Sequence, residues 1–145
     1  MKSIPSVLVQ YMEGLKTRDV AKIAATVADD AAIVLPDRTF TKPNFLALLT
    51  ALYTAFPDWH YEHDEPVLHD DGRIAVKWRQ GGTHTVAMNA PGRPVIPPTG
   101  KVVRIPEQFF VYKFAGDKIV EICPDAIPGG APWGIFEQIS EKNAI

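Results

Sequence analysis

Apolar residues Ile4, Val7, Leu8, Tyr11, Met12 and Leu15 recur at the three-to-four spacing of one helix face. Ser3 stands where a cap would, and Pro5 falls in the first turn, where a missing N–H is tolerated. Asp19 starts a short second helix with Val20, Ile23, Ala24 and Val27 inward. Thr41 caps a third, with Pro43 in its first turn and Pro57 as its stop. Its apolar face is Phe45, Leu48, Leu49, Leu52, Tyr53 and Phe56. Between the second and third helices, Ala31–Leu35 reads as a short strand.

The pattern then changes to strands, at about Trp59–His69, Arg73–Thr85, Val102–Phe114 and Lys118–Cys123. Asp70-Asp71-Gly72 and Ala115-Gly116-Asp117 are hairpin turns with the glycine such turns need. Asn89–Gly100 carries Pro91, Pro94, Pro97 and Pro98, and proline has no donor for a central ladder. This segment is a loop over one end of the sheet. After Pro128-Gly129-Gly130-Ala131-Pro132, Trp133–Ser140 is a short helix. Helices followed by a meander predict an α+β fold in one domain, 1–145. The sheet is expected to be curved and mostly antiparallel, wrapped around the N-terminal helices as a cone with an internal pocket. A bulge at Gly81-Gly82 would supply the curvature.

Composition narrows the partners. The chain has 145 residues, 46% of them hydrophobic, enough for a packed core. Its net charge of −2, with no Lys/Arg run, argues against nucleic acid and against an anionic membrane surface. The single cysteine, Cys123, excludes an internal disulfide and fits a reducing compartment. Ile4–Val9 is too short for a signal-peptide core, and no apolar run approaches the roughly 20 residues that span a bilayer. The expectation is a cytoplasmic protein.

Four motifs occur in order: Phe56-Pro57-Asp58-Trp59, Gly82-Thr83-His84, Pro98-Thr99-Gly100-Lys101 and Gly116-Asp117-Lys118-Ile119-Val120-Glu121. Together, over roughly Val7 to Ile139, they resemble the SnoaL-like polyketide cyclases of the nuclear transport factor two-like superfamily. The resemblance implies a cofactor-free intramolecular aldol closure. An aspartate on the last strand would act as acid and base, helped by a histidine in an apolar pocket. It also implies a homodimer and an apolar, oxygenated substrate. Two departures bear on it. Relatives usually read Glu-His-Trp where this chain has Glu121-Ile122-Cys123, and Ile127 stands where their aspartate falls.

Asp125 follows an apolar strand and is the candidate acid, because desolvation raises a carboxyl pKa toward neutrality. The alternative is a solvent-facing cap before Pro128. His84 could polarise a carbonyl or orient Asp125; its other role would be structural, at a strand end. Tyr11, Tyr53, Trp59, Trp78, Phe109, Phe110 and Trp133 are candidate lining aromatics, or else ordinary core. Trp78 shares strand parity with His84. Glu107 would be a second acid or a partner for Arg104, or else the two form an exposed or dimer-facing pair. His60 and His63, three apart on a strand, point to opposite faces, which argues against a metal site. Cys123 reads as a small buried hydrophobe. Three functions remain open: cyclase or isomerase chemistry, non-catalytic binding or dimerisation, and water activation by Asp125 for epoxide opening.

Overall fold

The computed structural model describes residues 4–140. Helix α1 is Ser6–Lys16, with Pro5 at its N-cap and no side-chain cap bond; the expected cap, Ser3, lies outside the described residues. Helix α2 is Val20–Thr26, capped by Asp19, whose carboxylate accepts from the Lys22 N–H at 3.1 Å. Helix α3 is Lys42–Ala55, capped by Thr41 and ended before Pro57. A C-terminal helix, α4, is Trp133–Ser140.

The strands are β1 Val27–Val34, β2 Thr39–Phe40, β3 His60–His63, β4 Val67–Leu68, β5 Ile74–Thr83, β6 Val102–Ala115 and β7 Lys118–Pro124. They form one sheet ordered β2-β1-β7-β6-β5-β3, with β4 also on β5. Among the described residues only the β1–β7 pairing is parallel, so the sheet is mixed but mostly antiparallel. Strand β1 starts four residues before the expected Ala31. The expected strand Trp59–His69 is broken into β3 and β4 around Pro66, which cannot donate to a ladder. Helices α1 and α3 close the concave side over Leu8, Tyr11, Leu49, Trp78, Tyr112 and Ile122. Among the described residues, no helix is long and apolar enough to cross a membrane.

Two bulges decide which side chains face inward. Trp78 pairs with Gln108 but Gln80 pairs with Ile105, so β6 carries one extra residue at Pro106–Glu107. Proline there removes a ladder donor, which suits a bulge. Val103 and Ile105 are buried before it; Gln108 and Tyr112 are buried after it. Likewise Lys113 pairs with Glu121 and Phe114 with Ile119, so β7 carries an extra residue at Val120. Ile119 is buried before that bulge, Ile122 and Pro124 after it.

The expected bulge at Gly81-Gly82 is thereby corrected to β6. The two glycines serve close approach instead. A Cβ on Gly81 would stand 2.5 Å from the Val103 carbonyl oxygen, and one on Gly82 would stand 2.9 Å from the Trp59 ring. Strand β5 keeps its alternation, and Trp78, Gln80 and His84 are all buried.

Candidate functional site

Three of the four motifs meet in one place. The Phe56 ring stacks on His84 at 5.1 Å and meets Trp59 edge-on at 5.1 Å. The Asp58 carboxylate accepts from the Thr83 N–H at 2.7 Å and from its hydroxyl at 2.8 Å. These bonds hold the Asp58 pKa below the ordinary carboxylate value. The His84 N–H donates to the Lys101 carbonyl, and the Gly100 N–H to the His84 carbonyl. The Thr99 N–H donates to His84 Nδ1 at 3.3 Å, and the Thr99 hydroxyl lies 2.9 Å from the same atom. Nδ1 is thus an acceptor, and the proton of the neutral ring sits on Nε2. Burial lowers the His84 pKa, against a smaller opposing pull from the Val86 backbone.

An apolar cavity of about 70 Å³ lies on the concave side of the sheet. Its wall includes Leu15, Ile33, Phe45, Leu52, Met88, Phe110 and Ile122, and its polar groups come from Tyr11, Tyr61, Tyr112, Trp78 and Gln80. Burial raises the pKa of Tyr11, Tyr61 and Tyr112, so all three stay protonated. Most of these groups already have partners. Trp78 Nε1 donates to the Tyr112 hydroxyl at 2.9 Å, and the Tyr61 and Tyr53 hydroxyls share a bond of 2.7 Å.

Gln80 differs. Its Oε1 accepts from Trp59 Nε1 at 3.3 Å; because indole is donor-only, that bond fixes which end of the amide is oxygen. The residue as a whole is 9% exposed, and its Nε2, which takes no acceptor among the described residues, is the end left open to the cavity. This residue escaped the sequence reading. Its signal was the parity already drawn through Trp78, which places Gln80 on the same face.

A wider cleft of about 330 Å³ lies beside the cavity and shares Phe40, Leu48 and Phe136 with its wall. A 70 Å³ space takes less than an aromatic ring; a dry 150 Å³ cavity is the scale that holds benzene. Cavity and cleft together reach the range of about 300–1,000 Å³ usual for small-molecule sites.

The expected site residues divide accordingly. Tyr11 and Trp78 line the cavity, as does Phe110. Tyr53 stands behind Tyr61, and Trp59 stands behind Gln80. His84 is buried in the motif cluster and does not line the cavity. Trp133 lines the outer cleft.

Glu107 and Phe109 are corrected. The β6 bulge puts them on the outer face of the sheet, where Arg79 Nη1 meets Glu107 at 3.1 Å and Lys77 Nζ sits 5.5 Å from the Phe109 ring. Arg104 is not the partner of Glu107; its backbone is held by the Gln138 side chain. Cys123 is half-buried rather than buried, and burial raises its pKa.

Asp125 is corrected too. It is exposed, and it lines a shallow groove with Pro36, Gln108 and Glu137. Pairing with β6 continues past Pro124, since the Asp125 N–H donates to the Phe109 carbonyl at 2.9 Å. Because Ile122 and Pro124 point inward, alternation turns Asp125 outward. Its carbonyl accepts from Gln108 Nε2 at 2.8 Å, and Gln108 also binds both backbone polar groups of Ala131. Gln108 therefore anchors the loop after β7.

The fold is shared with solved structures at low identity. AclR from Streptomyces galilaeus, a candidate hydroxylase, is 18% identical with a TM-score of 0.73, over 97% of this chain and 82% of that one. A candidate SnoaL-like polyketide cyclase from a Jannaschia species is 14% identical with a TM-score of 0.70, over 98% and 97%. A SnoaL-like polyketide cyclase from Agrobacterium tumefaciens is 19% identical with a TM-score of 0.62, over 86% and 91%. No curated protein matches the sequence. The model of the SnoaL-like domain matches residues 8–122, most of the described chain. With its curved, unclosed, mostly antiparallel sheet packed on helices, the chain belongs to the SnoaL-like family of the nuclear transport factor two-like cone fold.

Proposed function

We propose that the protein binds an apolar small molecule bearing a carbonyl oxygen, whose carbonyl end enters the cavity and bonds Gln80 Nε2. The observation that carries this is an amide donor open to a mostly apolar cavity and without a protein acceptor among the described residues. A ligand oxygen that accepts from this donor contributes a net hydrogen bond of about 0.5–1.5 kcal/mol. A hydrocarbon would leave that donor unmet. The neutral tyrosines beside it add no negative charge that would repel a carbonyl.

Binding is favoured over cyclase chemistry or epoxide opening by the position of the acids. Among the described residues, no Asp, Glu or His lines the cavity, and Asp125 stands outside it. Proton transfer needs a group within hydrogen-bond reach of the reacting atom. The outer sheet face, with Phe109, Val111 and Cys123 half-buried between Lys77 and Glu121, supports a homodimer through that face. Gel filtration at monomer mass would count against this dimer.

Calorimetric titration with 2-octanone tests the cavity. Saturable binding is expected, weakened at least about fivefold by Gln80→Leu, a loss of about 1 kcal/mol. The substitution also removes the Gln80 acceptor of Trp59 Nε1, at about 1–2 kcal/mol of stability, so both proteins are compared well below their melting range. Equal affinity in both proteins, or no binding, overturns the reading.

A further inference from the structure

The cleft outside the cavity carries a feature that carbonyl binding does not use. Its lining includes Arg38, Thr39, Asn44, Arg93, Trp133 and Phe136. The Arg93 guanidinium carbon lies 4.7 Å from the Trp133 ring centroid and 4.1 Å from that of Phe136. The Arg38 guanidinium carbon lies 5.3 Å from the same indole. Both distances refer to one ring, so the two cations stand within roughly 10 Å of each other, a range at which like charges still repel across salt water.

Among the described residues, the acid in contact with this cluster is Asp37, and it is already engaged. Its Oδ2 lies 3.2 Å from Arg38 Nη2, and its Oδ1 accepts from Trp133 Nε1 at 3.1 Å. No described carboxylate pairs with Arg93. Contact with an aromatic face engages the flat side of a guanidinium and leaves its N–H edges free to bind an anion. Two guanidiniums offset by one aspartate leave one net positive charge. That balance suits a monoanion, and the guanidinium fork matches a carboxylate. The wall bearing Arg93 comes from the proline-rich loop before β6, and the wall bearing Trp133 from the start of α4.

We propose that this cleft is a carboxylate subsite, in which Arg93, with Arg38, holds the acid end of an amphipathic oxo acid. The apolar chain of that acid passes Phe40, Leu48 and Phe136 into the cavity. This rests on the cavity reading above and names the ligand class more closely: an apolar carboxylic acid with a carbonyl at its far end. Thr39 and Asn44 stand in the same cleft, within the lining that would meet the head group.

The test compares 2-octanone with 7-oxooctanoate, which has the same carbon chain and ketone with a carboxylate at the other end. Both are titrated into the full chain at low and high salt. The oxo acid should bind at least about tenfold tighter, and the advantage should shrink as salt rises. Arg93→Gln should erase the advantage by weakening 7-oxooctanoate far more than 2-octanone; Arg38→Gln should reduce it in part. Arg93 is exposed, so the substitution leaves the core intact.

If 2-octanone binds and 7-oxooctanoate binds no tighter, the subsite is overturned while the cavity reading stands. If neither binds, both fail. If the advantage persists in Arg93→Gln, the carboxylate is held elsewhere and the assignment is wrong. If 7-oxooctyl phosphate binds tighter than 7-oxooctanoate, the monoanion assignment is wrong.

Discussion

Around His84, polar groups bind one part of the chain to another: Asp58 to Thr83, Thr99 to His84, and the His84 backbone to Gly100 and Lys101. In the cavity on the same side of the sheet, Gln80 keeps a donor that no described part of the chain takes up. The first region holds three of the four sequence motifs; the second holds none. Motif residues here join α3, β5 and the proline-rich loop into one packed unit. A ligand-facing wall does not need such recurrence, because changing it alters what is bound rather than whether the chain folds. A family resemblance carried by the first region therefore reports fold. The ligand has to be read from the second.

The largest expected separation comes from Trp59→Ala. Trp59 is fully buried between Phe56 and Gly82, and truncating such a residue costs about 3–5 kcal/mol. Urea denaturation should show this as a lowered midpoint. Gln80→Leu, one hydrogen bond away, should cost about 1–2 kcal/mol and act chiefly on ligand affinity. A Trp59→Ala protein as stable as the parent would break the contrast between the regions.

A smaller effect sharpens it. His84→Phe keeps a ring against Phe56 but removes the acceptor of the Thr99 N–H, for about 1 kcal/mol. The pH dependence carries the signature. Burial holds the folded pKa of His84 below its unfolded value of about 6.5. The unfolded chain then binds the proton more readily, so this contribution to stability is full above pH ~6.5 and is lost as pH falls toward the folded pKa. Stability measured from neutral to mildly acid pH should fall less steeply in His84→Phe. An unchanged slope would show that His84 does not titrate as the buried, Thr99-bound ring requires.

The helices were legible because periodicity and capping are local: Asp19 and Thr41 cap as their sequences suggest. The hairpins were legible from their glycines, and the family from motifs whose order survives divergence. Strand phase was not. Val103 and Ile105 face inward, and plain alternation would carry Glu107 and Phe109 inward after them. Ile119 faces inward, and plain alternation would carry Asp125 inward after it. Alternation breaks at a bulge in each strand, at Pro106–Glu107 and at Val120, where one inserted residue exchanges the two faces. Only Pro106 marked one of these in advance. Strand β5 has no such insertion, and there parity from Trp78 would have found Gln80.

The smallest expected effect concerns Asp125. Its carboxylate is exposed, and the hydrogen bonds at this position run through backbone atoms: its N–H to Phe109, and its carbonyl to Gln108 and Ile127. An amide in place of the carboxylate would keep all of them, because the side chain takes no part. Asp125→Asn should therefore change stability by less than about 0.5 kcal/mol and leave the affinity for 2-octanone as it was. Both follow from where β7 turns after Val120. A large loss of binding would mean that the loop from Asp125 to Ala131, which shares Ala131 with the cavity wall, folds inward over the ligand and brings the carboxylate to it. In that case the acid would rejoin the cavity, and the division between a region that holds the fold and a region that meets the ligand would no longer leave Asp125 outside both.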